Sequence, residues 1–219
     1  MATARTHNHS TKGDKMKKLI VALGLTVSVF SGQFDKVKIT PDMSYVYVYH
    51  KGKAVKVHRI QDTKHKLTGE YARQYRPNKD IQPIKMDNDI HTIGEVELLH
   101  FMKDKANDKK GLIIDVRAKS DYAKESIPSA VNIPASTKDD KVKMEKILKV
   151  LGIKRSDEGT LDTSKAMDIA VYCHGLWCEK APEFIKTVVS MGYPEEKILY
   201  YRGGFQMWKI LGFTTVTNY

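Results

Sequence analysis

Asp168-Ile169-Ala170-Val171-Tyr172-Cys173-His174-Gly175-Leu176-Trp177-Cys178-Glu179-Lys180-Ala181-Pro182-Glu183-Phe184-Ile185 reads as an apolar strand, a short loop and the opening of a helix. The run ending at Tyr172 is almost continuously apolar, the pattern of a strand buried on both faces. It delivers Cys173 into a tight loop, and the residues from Ala181 to Met191 then fit an amphipathic helix. Loop amides turned inward at a helix start stabilise a thiolate or a bound anion, so this is where a reactive sulfur would be built. Gly175 permits the backbone turn that such a cradle requires.

Outward from this stretch the chain alternates strands and helices. Gly111 to Arg117 and Ala130 to Pro134 read as buried strands, with a short helix over Ser120 to Glu125 between them. Lys141 to Leu151 carries Val142, Ile147, Leu148 and Leu151 at helical spacing and stops at Gly152. Lys197 to Tyr201 reads as a further strand, and Thr92-Ile93-Gly94-Glu95 has the capping-box order ahead of Val96, Leu99 and Met102. Repeated strand–helix alternation implies an α/β domain with a mainly parallel central sheet flanked by helices.

Nearer the N-terminus the pattern changes to period two. Val37 and Ile39, Tyr45 to Tyr49, a polar turn at His50 to Lys53 and Ala54 to Ile60 predict a β-hairpin, followed by an irregular loop at 68–80. The tyrosines at 45, 47 and 49 share one strand face, read as a packing face, with an exposed face stabilised by cross-strand pairs and a partner-binding face as alternatives. The expected division is a tail and leader at 1–31, a small β-rich module at 32–90 and the α/β domain at 91–219.

Lys15-Met16-Lys17-Lys18 followed by Leu19 to Phe30 has the layout of an export signal, with a cut after Ser31 and Met16 as an alternative start. A retained anchor and a buried core helix are the competing readings. Removal of the segment implies an exported, periplasmic or similar location with no stable membrane span in the mature form. The 219 residues carry 37 Lys and Arg against 26 Asp and Glu, a net charge of +11. The excess is spread along the chain without a basic stripe, which argues against nucleic-acid binding and for attraction of small anions.

Four ordered motifs now stand together: Ile113-Ile114-Asp115-Val116-Arg117, Ile127-Pro128-Ser129-Ala130-Val131-Asn132-Ile133-Pro134, Val171-Tyr172-Cys173, and Tyr201-Arg202-Gly203-Gly204-Phe205-Gln206-Met207-Trp208. In this order the chain resembles the rhodanese-like sulfurtransferases from about Thr92 to its C-terminus. The form Cys173-His174-Gly175-Leu176-Trp177-Cys178 is similar to exported bacterial single-domain members with an N-terminal β-rich extension. The resemblance implies that Cys173 attacks the outer sulfur of thiosulfate or a related small anionic donor, releases sulfite and carries a persulfide to a thiol, cyanide or protein acceptor. It implies no metal and no organic cofactor. Where many members place a basic residue, this chain has Cys178, which leaves Lys180 as the nearest cation. Ser126 and Ser129 replace the usual His and Gly of the second motif.

The binding loop is then His174, Gly175, Leu176, Trp177 and Cys178 with Lys180 beyond it. Cys178 reads as a small apolar residue in the first helical turn, with persulfide resolution or a reversible disulfide to Cys173 as alternatives. His174 reads as a solvent-exposed loop residue, and Trp177 as either a pocket wall or ordinary packing. Asp115 and Arg117, at the end of a central strand, and Arg202, beside the Gly203-Gly204 turn, read as structural supports of the loops. A non-catalytic persulfide carrier or thiol redox partner is the alternative function. A cysteine-dependent phosphatase or arsenate reductase is disfavoured, because no arginine between Cys173 and Ile185 closes the loop around an oxyanion.

Overall fold

The structure is a computed structural model of the chain, and it describes residues 38–218 except 41, 63–64, 66–68, 70–81, 83–85, 87–89 and 157. The leader-like segment at 15–31, the tail before it and nearly all of the stretch at 68–80 lie outside the described residues. No helix among the described residues is long and apolar enough to cross a membrane.

A hairpin of β1 (Tyr45–His50) and β2 (Lys53–His58) comes first. Its turn, Lys51-Gly52, has both residues at positive φ, 47° and 76°, which matches the twist of paired strands. Then follow β3 (His91–Ile93), α1 (Glu95–Phe101) with a π-helical turn at Met102–Ala106, β4 (Gly111–Asp115), α2 (Lys119–Lys124) and β5 (Ala130–Asn132). After a 3-10 turn at Ala135–Asp139 come α3 (Lys141–Val150) and the short antiparallel pair β6 (Lys154–Arg155) and β7 (Leu161–Asp162). The chain continues with β8 (Asp168–Tyr172), α4 (Lys180–Ser190), β9 (Ile198–Tyr201) and α5 (Gly204–Ile210).

Five strands form the central sheet in the order β3-β9-β8-β4-β5, every neighbouring pair parallel. Side chains alternate across it as the pleat demands. Ile114, Val116, Ile169, Val171, Ile198 and Tyr200 pack with Met144 and Leu148 of α3 and Phe184, Ile185 and Val188 of α4. Ile113, Ala170, Tyr172 and Tyr201 pack with Leu98 and Leu99 of α1, Phe205 and Trp208 of α5 and Val46, Val48 and Val57 of the hairpin. Each fully buried side chain of this kind contributes about 1.5–3 kcal/mol. The chain leaves β5 and crosses back over β4 to enter β8. The carboxyl ends of β4 and β8 therefore flank the crevice where ligands gather in open α/β sheets.

Two expectations are corrected. Thr92 is not a helix cap: it lies in β3, paired with Tyr200, and the cap is Gly94, whose amide donates to Glu97 Oε2 at 3.0 Å. β-branched Thr92 and Ile93 suit the extended backbone, so the helix begins two residues later. The tyrosine face of β1 is also not the packing face. Tyr45, Tyr47 and Tyr49 are 47–62% exposed, and Val46, Val48 and His50 point inward. The exposed face is held by an edge contact between Tyr45 and Tyr47 and by Lys56 Nζ over the Tyr45 ring, 4.5 Å from its centroid.

His50 ties the hairpin to the rest of the domain. Burial pulls its pKa down, and its ring bonds Asn218 Oδ1 at 2.7 Å and accepts the Ser129 amide at 3.0 Å. Ser129 sits at φ 69°, the left-handed backbone for which a glycine is the easier residue.

Candidate active site at the end of the central strand

Cys173 is the first residue beyond β8, and the loop it opens is fixed from below by the start of α5. Phe205 N donates to Cys173 O at 2.8 Å and Gln206 N to His174 O at 2.7 Å. This approach depends on Gly204, at φ 61°: a Cβ there would stand 2.6 Å from Cys173 O and 2.8 Å from Gly175 N. Gly175 is needed for space as well, since its Cβ would meet Gln206 Oε1 at 2.7 Å. The loop closes on itself through Cys178 N to Gly175 O at 2.9 Å, and Leu176 O accepts from Gln82 N at 2.8 Å. Gly175 is buried within this loop and Leu176 is half-buried.

Cys173 and Cys178 are joined by a disulfide, with Cα atoms 6.2 Å apart. This corrects the reading of Cys178 as a filler of the first helical turn. It lies before α4, whose N-cap is Glu179, and its sulfur is bonded to the candidate nucleophile. Both cysteines are buried against the α3–α4 side of the sheet. Closing so short a loop stabilises the fold by only about 2 kcal/mol in the chain-entropy picture.

His174 is not an exposed loop residue. It is 8% exposed, and its Nδ1 lies 3.4 Å from Cys173 Sγ and 3.7 Å from Cys178 Sγ. Its Nε2 is 3.0 Å from Asp121 Oδ2 on α2. Trp177 stacks on the imidazole with ring centroids 5.7 Å apart, and its Nε1 donates to Gln206 Oε1 at 3.1 Å. Trp177 therefore walls the histidine and packs against α5 at once. The two sulfurs and His174 Nδ1 also lie within 4.8 Å of one another, a soft-metal donor set once the sulfurs are thiolates. As a disulfide they offer no thiolate to a metal.

Asp115 and Arg117 lie beneath the site as a buried pair. Arg117 donates to Asp115 through Nη2 at 2.7 Å and through Nε at 3.0 and 3.1 Å, and Nη2 also reaches Glu125 O at 2.6 Å. Tyr172 donates its hydroxyl to Asp115 Oδ2 at 2.7 Å, and burial together with the Asp115 charge pushes that hydroxyl far above its usual pKa. The Arg117 guanidinium lies 4.0 Å from the Phe205 ring centroid. Arg202 Nε donates to Gln82 O at 2.8 Å, beside the Gln82–Leu176 bond. Lys180 is exposed at the first residue of α4.

Two contributors were not legible in the sequence. Asp121 lies 53 residues before His174 and reaches it only because α2 follows β4 over the same end of the sheet. Gln206 anchors both the loop backbone and Trp177. No spacing signal marks either.

Comparison with known proteins places the geometry in context. Residues 98–211 match the profile of the family described as Rhodanese-like domain. Solved structures with a similar fold include a protein from Bacillus halodurans, at 19% identity over 58% of this chain and 77% of that one, TM-score 0.42. They also include a rhodanese-related protein from Thermoplasma volcanium, at 22% identity over 57% and 97%, TM-score 0.38. A third is a rhodanese from E. coli described with anions, at 21% identity over 49% and 98%, TM-score 0.33. Among curated proteins none matches this chain.

Proposed function

Because this chain belongs to the rhodanese-like domain family, matched over more than half its length, we propose that it is a sulfurtransferase acting through Cys173. The family supports sulfurtransferase-type or related cysteine-dependent chemistry in general. The finer reading is that thiosulfate or a related sulfane-sulfur anion is the donor. The reduced Cys173 thiolate attacks the outer sulfur, the sulfur–sulfur bond breaks, sulfite leaves with the electron pair, and a persulfide remains for a thiol, cyanide or protein acceptor.

The observation that carries this reading is the position of Cys173 at the carboxyl end of the central strand β8, where the strand order reverses, with the His174 ring against its sulfur. The exposed Lys180 and the net charge of +11 favour an anionic donor. Export through the segment at 15–31 belongs to the same proposal and is tested by fractionating cells that express the full chain.

The direct test is to reduce the protein, add thiosulfate and analyse the products. A one-sulfur mass increase on the Cys173 peptide with matching sulfite is the expected result, and the absence of both refutes the reading. The Cys173–Cys178 disulfide favours a second reading, a thiol redox partner without rapid sulfur turnover. Negligible sulfite release combined with rapid exchange with dithiols would establish that reading instead.

A further inference from the structure

We propose that Cys178 resolves the persulfide carried by Cys173, so that the sulfur leaves as hydrosulfide and the Cys173–Cys178 disulfide is the product of that step. The proposal rests on the sulfurtransferase reading and adds the fate of the carried sulfur. Cys178 thiolate attacks the inner sulfur, Cys173 Sγ. The bond from that sulfur to the terminal one breaks, and the terminal sulfur departs with the electron pair and takes up a proton. The two cysteines are oxidised to the disulfide, and the sulfane sulfur is reduced to hydrosulfide. A dithiol reductant then returns the pair to two thiols, itself becoming a disulfide.

Three observations support this assignment. First, the disulfide demonstrates that Cys178 Sγ reaches Cys173 Sγ within this loop, the contact that the attack requires. An attack within one loop has a large advantage over any acceptor arriving from solution. Second, His174 Nδ1 lies beside both sulfurs, at 3.4 and 3.7 Å, where the Cys178 proton must be removed and the departing sulfur must be protonated. Its other nitrogen is held by Asp121, which fixes the ring orientation. Third, the bridge holds little that is not held already. The same loop is anchored by Cys178 N to Gly175 O, Gln82 N to Leu176 O, Phe205 N to Cys173 O and Gln206 N to His174 O. A purely structural disulfide also gives no reason for a buried histidine, held by Asp121, beside its sulfurs.

The test is a single turnover of the full chain. The protein is reduced with a phosphine without oxygen, freed of reductant and mixed with one equivalent of thiosulfate. Sulfite, hydrosulfide and the mass of the peptide holding both cysteines are then followed. Wild type is expected to release sulfite and hydrosulfide in equal amounts and to end as the disulfide peptide, two hydrogens lighter. Cys178→Ser is expected to release sulfite alone and to keep a peptide one sulfur heavier. His174→Ala is expected to release hydrosulfide roughly a hundredfold more slowly per persulfide formed. Asp121→Asn, a positioning change, is expected to shift the pH profile of the release step. A stable persulfide on wild type, with no more hydrosulfide than Cys178→Ser gives, overturns the proposal and leaves the sulfurtransferase reading standing. If neither protein forms sulfite or a sulfur adduct, both fall together.

Discussion

Gly204→Ala isolates the contact that holds the reactive loop to the sheet end. The new Cβ would lie 2.6 Å from Cys173 O, 2.8 Å from Gly175 N and 2.9 Å from His174 C, all of them backbone atoms that no rotamer change can move. Comfortable contact begins at about 3.5 Å, so the loop must retreat by about 0.9 Å. Alanine at φ 61° costs a further ~1 kcal/mol. The retreat weakens the bonds from Phe205 N and Gln206 N to the loop carbonyls, at about 1 kcal/mol each. The total is about 3 kcal/mol, which for a domain of this size lowers Tm by roughly 6–12 °C. A displacement near 1 Å at the sulfur reduces the rate of sulfite release about a hundredfold. Gly159→Ala is the matched control: its φ is 85° but nothing lies within 4 Å of the Cβ, so only the dihedral cost of ~1 kcal/mol applies. Thermal melts and sulfite release on the two variants decide the matter. Equal melting points, with a normal rate in Gly204→Ala, would refute the claim that α5 positions the sulfur.

Removing the Arg117 side chain as Arg117→Met strands the Asp115 carboxylate where no solvent reaches it, and unfolding in urea should show a loss of about 3–5 kcal/mol. Combining it with Asp115→Asn should recover part of that loss, and no recovery would mean that packing rather than charge carries the pair. Burial pushes the Glu125 carboxyl up, but hydrogen bonds from Lys209 and Thr215 and the Lys209 charge outweigh it and hold its pKa below the usual glutamate value. The stability it contributes is therefore complete above that usual value and is lost as pH falls through the depressed folded one. Lys209→Met should raise the pH midpoint of acid unfolding, and an unchanged midpoint would refute the assignment.

The sheet was legible where strands sit in apolar runs, β5 included, and hidden where a short strand carries another signal or none. β4 and β8, five residues each and buried, stand out as Gly111 to Asp115 and Asp168 to Tyr172. β3 has three residues, and its threonine imitates a helix cap. β6 and β7 have two residues each, too few for any period to register. In β1 tyrosine and valine alternate, and both residue types suit a strand, so the pattern announces the hairpin without saying which face is inside. The deciding fact is tertiary: Val46 and Val48 meet Leu98, Leu99 and Phe213, partners far along the chain.

Within the site, Cys173 was legible from its place at a strand end, whereas the roles of its polar neighbours were not. Asp115 and Arg117 advertise themselves as charged residues in an apolar strand, yet each answers the other's charge, and Tyr172 completes the set. Such a closed set fixes loops. His174 looks incidental, one polar residue after a cysteine, because nothing local records that α2 will bring Asp121 to its Nε2. Burying an imidazole without partners is costly; Trp177 and the two sulfurs come from its own loop, and Asp121 alone is brought from a distant element. The sulfurs can change oxidation state and the carboxylate stays fixed. In the proposed sulfur transfer, His174 is the group set against both sulfurs and able to carry a proton between them.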